Sequence, residues 1–163
     1  MANLLARFAG KVCEVLLPIK HDIFFGNEQS SIAVCTLSSI ELLEHISKSN
    51  MMNDIALAAR LFSESKGIEK LIEYVLQNPN IKYIVLCGKD TKGHLPGQAL
   101  LALYKNGIDS GGRIIDARGK DPVIKTVTKN SVDEFRKCTK LIDLVGVTDI
   151  EKISSKVATL VKA

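Results

Sequence analysis

The sequence predicts an α/β fold, a Rossmann-like three-layer domain with a mainly parallel sheet. Short apolar runs rich in β-branched residues alternate along the chain with segments whose apolar residues recur at helical spacing. The run from Ile81 to Leu86 is apolar at nearly every residue, which is typical of a parallel strand covered on both faces. Strands that alternate with helices are joined by right-handed crossovers, and these connections predict a mainly parallel sheet.

The first half of the domain contains two predicted strands and two predicted helices. Residues Ile32 to Leu37 predict the first core strand, and Ile40 to Ile46 predict the helix after it. Residues Gly67 to Leu76 predict a helix that ends at Asn78-Pro79, because proline cannot continue a helix, and the strand from Ile81 follows. The stretch from Met51 to Phe62 fits either a helix or a buried strand, since a short apolar run has no decisive period.

The second half continues the alternation. A helix is predicted from Gly97 to Asn106-Gly107, where the Asn-Gly pair is a helix stop signal. The remaining predicted elements are a strand at Arg113 to Ile115 that opens the loop 116–119, a helix from Val132 to Cys138, a strand or extended segment from Leu141 to Val147, and a closing helix from Ile150 to Leu160.

Residues 1–20 are predicted to be an amphipathic segment ahead of a single domain that comprises residues 21–163. Its apolar residues lie on one helical face, and Pro18 closes the segment; they are Leu4, Leu5, Phe8, Val12, Val15 and Leu16. The first interpretation is that this segment packs on the sheet of its own domain. A docking or dimerising helix and an interfacial membrane helix are the alternatives.

Composition narrows the class of protein. The chain has 163 residues, a net charge of +4 and no dense block of basic residues, with only Lys120, Lys125 and Lys129 close to a cluster, so no nucleic-acid partner is expected. The four cysteines are far apart and form no Cys-x-x-Cys pair, which favours a reduced cytoplasmic setting. No apolar stretch reaches the ~18 to 20 residues that span a bilayer, and neither the dinucleotide fingerprint nor the P-loop is present.

The loop from Cys87 to Pro96 is the candidate site. It leaves the carboxyl end of the strand that begins at Ile81, and ligands bind at that edge in open α/β sheets. His94 lies near the end of this loop, and a neutral imidazole offers one lone pair to a metal or a proton. An isolated histidine in a surface loop more often has no role, so the motif by itself does not assign one.

A longer pattern supports a role for His94. The order of several short segments resembles the A subunit of tetrahydromethanopterin S-methyltransferase over roughly residues 20 to 155; the segments are Ala33–Leu37, Gly67–Lys70, Asn78–Ile81, Leu86–Lys89, Gly93-His94, Gly97–Leu100 and Lys105–Asp109. The resemblance implies a corrinoid carrier in which His94 is the lower axial ligand of the cobalt of cobalamin (a 5-hydroxybenzimidazolyl cobamide or a related corrinoid). It also implies passage of a methyl group from methyl-tetrahydromethanopterin to the thiol of coenzyme M, with other methyltransferase subunits as partners.

The corrinoid is expected to lie across the carboxyl ends of the strands. Its predicted contacts are in the loops at that edge: Thr36, Leu37, Ser38, Ser65, Gly67, Ile68, Gly88, Lys89, Gly93, Gly97, Gln98, Ala117, Arg118, Gly119, Lys120 and Asp121. Gly97 and Gln98 begin a helix, where free backbone N–H groups are expected to take corrin amide carbonyls or a tail phosphate.

The sequence also departs from known patterns. Cobalamin carriers of the methionine-synthase kind have Asp-x-His-x-x-Gly, whereas Lys92 takes the position of the Asp here, so a carboxylate partner of His94 has to come from elsewhere; Asp90 is the nearest in sequence. Membrane-bound members of the family end in an apolar anchor that this sequence lacks, which indicates a soluble homologue or a shortened form. The alternative function is a cofactor-free interaction or regulatory protein that has kept the fold.

Overall fold

The computed structural model describes residues 22–163, which form a five-stranded sheet. The strands are β1 (Ile23–Phe25), β2 (Ile32–Cys35), β3 (Leu57–Ala59), β4 (Tyr83–Gly88) and β5 (Lys140–Val145), and their order across the sheet is β1-β3-β2-β4-β5. β1 pairs antiparallel with β3, and the other three pairings are parallel. The predicted Rossmann-like α/β fold with a mainly parallel sheet is confirmed.

Helices connect the parallel strands. The α-helices of residues 22–163 are α1 (Ile40–Ser47), α2 (Lys66–Gln77), α3 (Pro96–Asn106), α4 (Lys129–Cys138) and α5 (Ile150–Val161). The predicted stops are confirmed, since α2 ends with Asn78 as its C-cap and α3 with Gly107, whose φ is +77°. None of these helices is both long enough and apolar enough to cross a membrane.

The sheet separates two apolar cores. Ala33 and Cys35 of β2 face the core that α2, α3 and α4 cover, whereas Ile32 and Val34 face the core that α1 and α5 cover. Because both faces are buried, the central strands are apolar without alternation, as the sequence indicates. Burial raises the pKa of the Cys35 thiol to about 12, so this cysteine is a protonated core residue at neutral pH.

The structure decides one open alternative and corrects one predicted strand. The ambiguous stretch from Met51 to Phe62 contributes the end of a 3₁₀ turn (Asn50–Asn53) and the short strand β3, so it is not an α-helix. Residues Arg113 to Ile115 are not a strand of the sheet; they make isolated antiparallel bridges within a local turn. The turn forms because the Asp109 carboxylate accepts the N–H groups of Gly111 and Arg113. Ile114 is buried in the core that α2, α3 and α4 cover, whereas Ile115 is exposed. The predicted amphipathic segment 1–20 lies outside the described residues.

Glu69 joins α2 to the segment before α4. Its buried carboxylate accepts the backbone N–H of Thr126 at 2.7 Å and also the N–H of Lys125. Burial by itself raises the pKa of Glu69, but these N–H groups and the charge of Lys125 outweigh it and lower the pKa below its ordinary value.

Replacing Glu69 with Gln should therefore lower the free energy of unfolding by about 2 kcal/mol at pH 7, because the ionised carboxylate makes the stronger hydrogen bonds. The pKa is lower in the folded state, so the stabilisation is present above the ordinary carboxyl pKa of about 4.3 and is lost as the pH falls through the folded-state value. Urea unfolding at several pH values measures this difference. Glu73→Gln, at an exposed position of the same helix, is the control and should show no such loss. If the difference in the free energy of unfolding between wild type and Glu69→Gln stays constant down to acid pH, the ionised Glu69 carboxylate is not the source of the stabilisation.

Candidate functional site

Loops from four parts of the chain meet at the carboxyl edge of the parallel strands. Three of them follow β2, β3 and β4. The fourth is the segment 117–121, which comes after α3 in the chain and is hydrogen-bonded to Gln98 and Glu64. Between them lies a cavity of about 470 Å³, lined by Ser38, Arg60, Phe62, Ser63, Glu64, Ser65, Thr91, His94 and Asp121. His94 thus lies at the sheet edge where ligands bind in this class of fold, as predicted.

His94 is paired with a buried carboxylate. Its Nδ1 atom lies 3.3 Å from each carboxylate oxygen of Glu64. The Glu64 side chain is 3% exposed, whereas the His94 side chain is 54% exposed. Since a carboxylate only accepts hydrogen bonds, Nδ1 of a neutral ring carries the proton and the lone pair is on Nε2. The pair therefore presents an exposed ring that can bind a metal or a proton through Nε2.

Glu64 is also held by the segment 117–121. The backbone N–H of Asp121 donates to Glu64 Oε1 at 2.6 Å. Gly119 packs directly on the pair, because a Cβ atom at this position would lie 2.2 Å from the His94 carbonyl oxygen and 2.8 Å from Glu64 Cδ. Any residue larger than glycine at position 119 would therefore force the loop away from His94.

Asp90, the nearest carboxylate in sequence, has a different role from the one predicted. Its Oδ1 accepts the N–H of Gly97 and its Oδ2 accepts the N–H of Gln98, both at 2.9 Å. The helix needs this help because Leu95 occupies the N-cap position and has no side-chain acceptor. The prediction that these two N–H groups are free for a corrinoid is therefore wrong: Asp90 occupies them.

The other predicted contact residues fall into two groups. The buried ones are Thr36, Leu37, Ile68, Gly88 and Gly97. The exposed or partly exposed residues of this edge are Ser38, Ser65, Gly67, Lys89, Gly93, Gln98, Ala117, Arg118, Gly119, Lys120 and Asp121. Several of them hold the loops together: the Ser38 hydroxyl donates to the Lys89 carbonyl at 2.6 Å, and the Gln98 side chain accepts the N–H of Arg118 at 2.8 Å.

Sequence reasoning missed five residues that line the cavity, namely Arg60, Phe62, Ser63, Glu64 and Thr91, and with Glu64 it missed the partner of His94. The guanidinium of Arg60 lies over the ring of Phe62, 4.8 Å from its centroid, and Nη1 forms an ion pair with Asp22 at 3.0 Å. A sequence signal for these residues existed, because charged and polar residues follow the apolar run that contains β3. It was missed because the stretch from Met51 to Phe62 fits a helix as well as a strand, so the end of β3 could not be placed.

Unsatisfied polar atoms are concentrated at this edge. Within residues 22–163, the buried side-chain atoms without a hydrogen bond are Thr36 Oγ1, Arg60 Nε, Glu64 Oε2 and Thr91 Oγ1; the Nδ1–H of His94 lies 3.3 Å from Glu64 Oε2 but is directed to Oε1. Three of these four residues line the cavity beside His94. Native domains satisfy nearly all buried polar groups, and unsatisfied ones call for an explanation such as a ligand. Strain is found here too, since Leu37 and Leu95 have positive φ angles of 51° and 49°.

The comparisons with known proteins agree on one family. The family model for the A subunit of tetrahydromethanopterin S-methyltransferase matches residues 12–163. A Methanosarcina barkeri protein, named as the A subunit of a proposed methyltransferase, Mtx, is 38% identical over 143 residues, which cover 88% of this chain and 68% of that protein. The A 2 subunit of tetrahydromethanopterin S-methyltransferase in Methanothermobacter thermautotrophicus is 36% identical over 137 residues, or 83% of this chain and 72% of the relative.

A third relative shows how much longer some of these proteins are. The A subunit of tetrahydromethanopterin S-methyltransferase from Methanohalophilus mahii is 33% identical over 143 residues, which are 87% of this chain but 57% of the relative. The resemblance inferred from the short segments of the sequence is thereby confirmed. This chain belongs to the family of the A subunit of tetrahydromethanopterin S-methyltransferase.

Proposed function

We propose that this chain is the corrinoid carrier of a methyltransferase and that His94 is the lower axial ligand of the cobalt in a bound cobalamin, a 5-hydroxybenzimidazolyl cobamide or a related corrinoid. The observation that carries the proposal is the pairing of the exposed His94 ring with the buried Glu64 carboxylate at the carboxyl edge of the sheet. Family membership makes the chain a subunit of a methyltransferase, and the site supports the finer role.

The chemistry of the donor set fits such a group. A histidine that ligates a metal through one ring nitrogen usually donates its other N–H to a carboxylate, which fixes the ring and strengthens the ligand. Within residues 22–163, no three His, Cys, Asp or Glu side chains come together around a possible metal position. A single protein nitrogen suits a metal whose other positions are filled by a macrocycle.

The cavity beside His94 fits the periphery of a corrin. The hydroxyl of Thr91 and the guanidinium of Arg60 are donors for the carbonyl oxygens of its amide side chains, and both contain atoms without a partner among the described residues. Phe62 adds an apolar surface that is half exposed. Lys89, Arg118 and Lys120 are exposed at the same edge and supply positive charge for a tail phosphate.

The protein's contribution to methyl transfer is to position and tune this ligand. When bound, a corrinoid supplies a cobalt centre that takes a methyl group from a donor such as methyl-tetrahydromethanopterin and passes it to a thiol such as that of coenzyme M. Glu64 holds the proton on Nδ1 of His94 and so keeps the lone pair of Nε2 available to a metal. The methyl donor, the thiol acceptor and the other subunits that present them are part of the proposal.

Binding of hydroxocobalamin by the full chain tests the proposed function. Equilibrium dialysis should show about one corrinoid retained per chain, because the site contains one axial ligand. The visible spectrum of the complex should differ from that of free hydroxocobalamin, because a histidine nitrogen replaces the original axial ligand. Absence of retention would contradict the proposal and favour the alternative, a cofactor-free interaction or regulatory protein with the same fold.

A further inference from the structure

The edge strand β1 exposes apolar side chains on one face of the sheet. Ile23 is opposite Ala59 and Phe25 is opposite Leu57, so their side chains are on the face that α2 covers over the neighbouring strands. Ile23 is 51% exposed and Phe25 is 70% exposed. Phe24 is directed to the other face and packs against the core under α1 and α5. Within residues 22–163, the layer that contains α2 thus stops short of the edge of the sheet.

A groove accompanies these side chains. A cavity of about 350 Å³ lies between the end of β1 and the carboxyl end of α2, and its lining includes Phe25, Ala56, Tyr74, Pro79 and Ile81. Apolar residues at an edge strand are a liability in a soluble protein, because an exposed strand edge is a surface for association. A covering element is therefore expected.

We propose that the segment of residues 1–20 covers this face of β1 and extends the layer formed by α2. Its apolar residues share one face of a predicted helix, and that face matches the apolar surface of Ile23 and Phe25; the residues are Leu4, Leu5, Phe8, Val12, Val15 and Leu16. The periodicity of the segment already favours packing on the sheet of its own domain, and the proposal adds the surface that it contacts. It is independent of corrinoid binding.

Connectivity and length favour this occupant over a separate molecule. The segment joins the domain at Asp22, next to Ile23, and Asp22 is anchored because its carbonyl accepts the N–H of Arg60 at 2.9 Å and its carboxylate pairs with that side chain. A helix over residues 4–16 would be about 20 Å long, and the five residues 17–21 reach about 17 Å when extended. A tethered segment also has a high effective concentration at an adjacent surface, which a second molecule lacks.

A tryptophan reporter tests the contact in the full chain. The sequence contains no Trp, so Phe25→Trp creates a single indole fluorophore on the proposed contact surface. In this background, Phe8→Asp places a charge at the centre of the apolar face; it should shift the indole emission to longer wavelength and raise its quenching by acrylamide severalfold. Ala6→Asp introduces the same charge on the opposite helical face and should change neither quantity.

Two further measurements separate the possible outcomes. Phe135→Trp, at a fully buried position in α4, reports on the core; its short-wavelength emission and low quenching should not respond to Phe8→Asp, which shows that the fold is intact. If the indole introduced by Phe25→Trp already has the emission and quenching of a fully exposed side chain in the unaltered segment, the proposal is overturned. The indole could instead be shielded only at high protein concentration, with a doubled mass in sedimentation. That result would also overturn the proposal, because a second copy of the chain would then cover the β1 edge.

Discussion

Replacing His94 with Ala should remove the protein nitrogen from the axial position of a bound cobalt corrinoid. In the Co(II) form, an axial nitrogen splits the electron paramagnetic resonance lines into triplets, and this splitting should be lost in the variant. The affinity for the corrinoid should fall without vanishing, because most contacts of a large ligand are made by apolar and backbone groups. The free energy of unfolding should change by less than about 1 kcal/mol, since the side chain is more than half exposed.

His45→Ala is the matched control, because His45 is exposed on α1 and does not line the cavity. This variant should keep the splitting and the affinity of the wild-type chain. A triplet pattern that persists in His94→Ala would show that another base is the ligand, such as the benzimidazole of the corrinoid itself, and would remove the assignment of His94.

Replacing Glu64 with Gln should weaken the axial bond while leaving the shape of the site intact. A neutral amide oxygen still accepts the N–H of Asp121, but it does not stabilise the positive charge that develops on the imidazole when Nε2 donates to a metal. Loss of such an outer partner typically costs about 10- to 100-fold in ligation. Visible spectra of the Glu64→Gln complex should therefore show some corrinoid without the histidine ligand. This fraction should be present at every pH at which the wild-type complex is fully ligated.

Asp90→Asn distinguishes an effect on the ligand from an effect on the loop. Asp90 caps the helix that starts two residues after His94 and does not contact the ring in the described structure. Its replacement should lower the free energy of unfolding by about 1 kcal/mol and leave the axial ligation unchanged. Equal weakening of ligation in Asp90→Asn and Glu64→Gln would mean that loop position, and not the carboxylate partner, controls the histidine.

Local signals explain why the order of elements was predictable from the sequence. The alternation of apolar runs and helical periodicity is a property of short windows, and so are the stop signals at Asn78-Pro79 and Asn106-Gly107. The position of His94 at the ligand edge was predictable for the same reason, since a loop that follows a buried strand leads to that edge, but its proposed role as a ligand came from the family resemblance. The short strand β3 was not, because it has three residues and no period of its own.

The sequence by itself therefore determined the fold class, the main helices and strands and the position of the candidate ligand, because each depends on residues that are neighbours in the chain. The tertiary structure decided the partner of that ligand. Glu64 is 30 residues from His94 and 57 residues from the Asp121 N–H that holds it, whereas Asp90 is only four residues away and is used by a helix end. The order β3-β2-β4 brings the loops of strands distant in sequence to one edge, and only that arrangement places a buried carboxylate under an exposed imidazole.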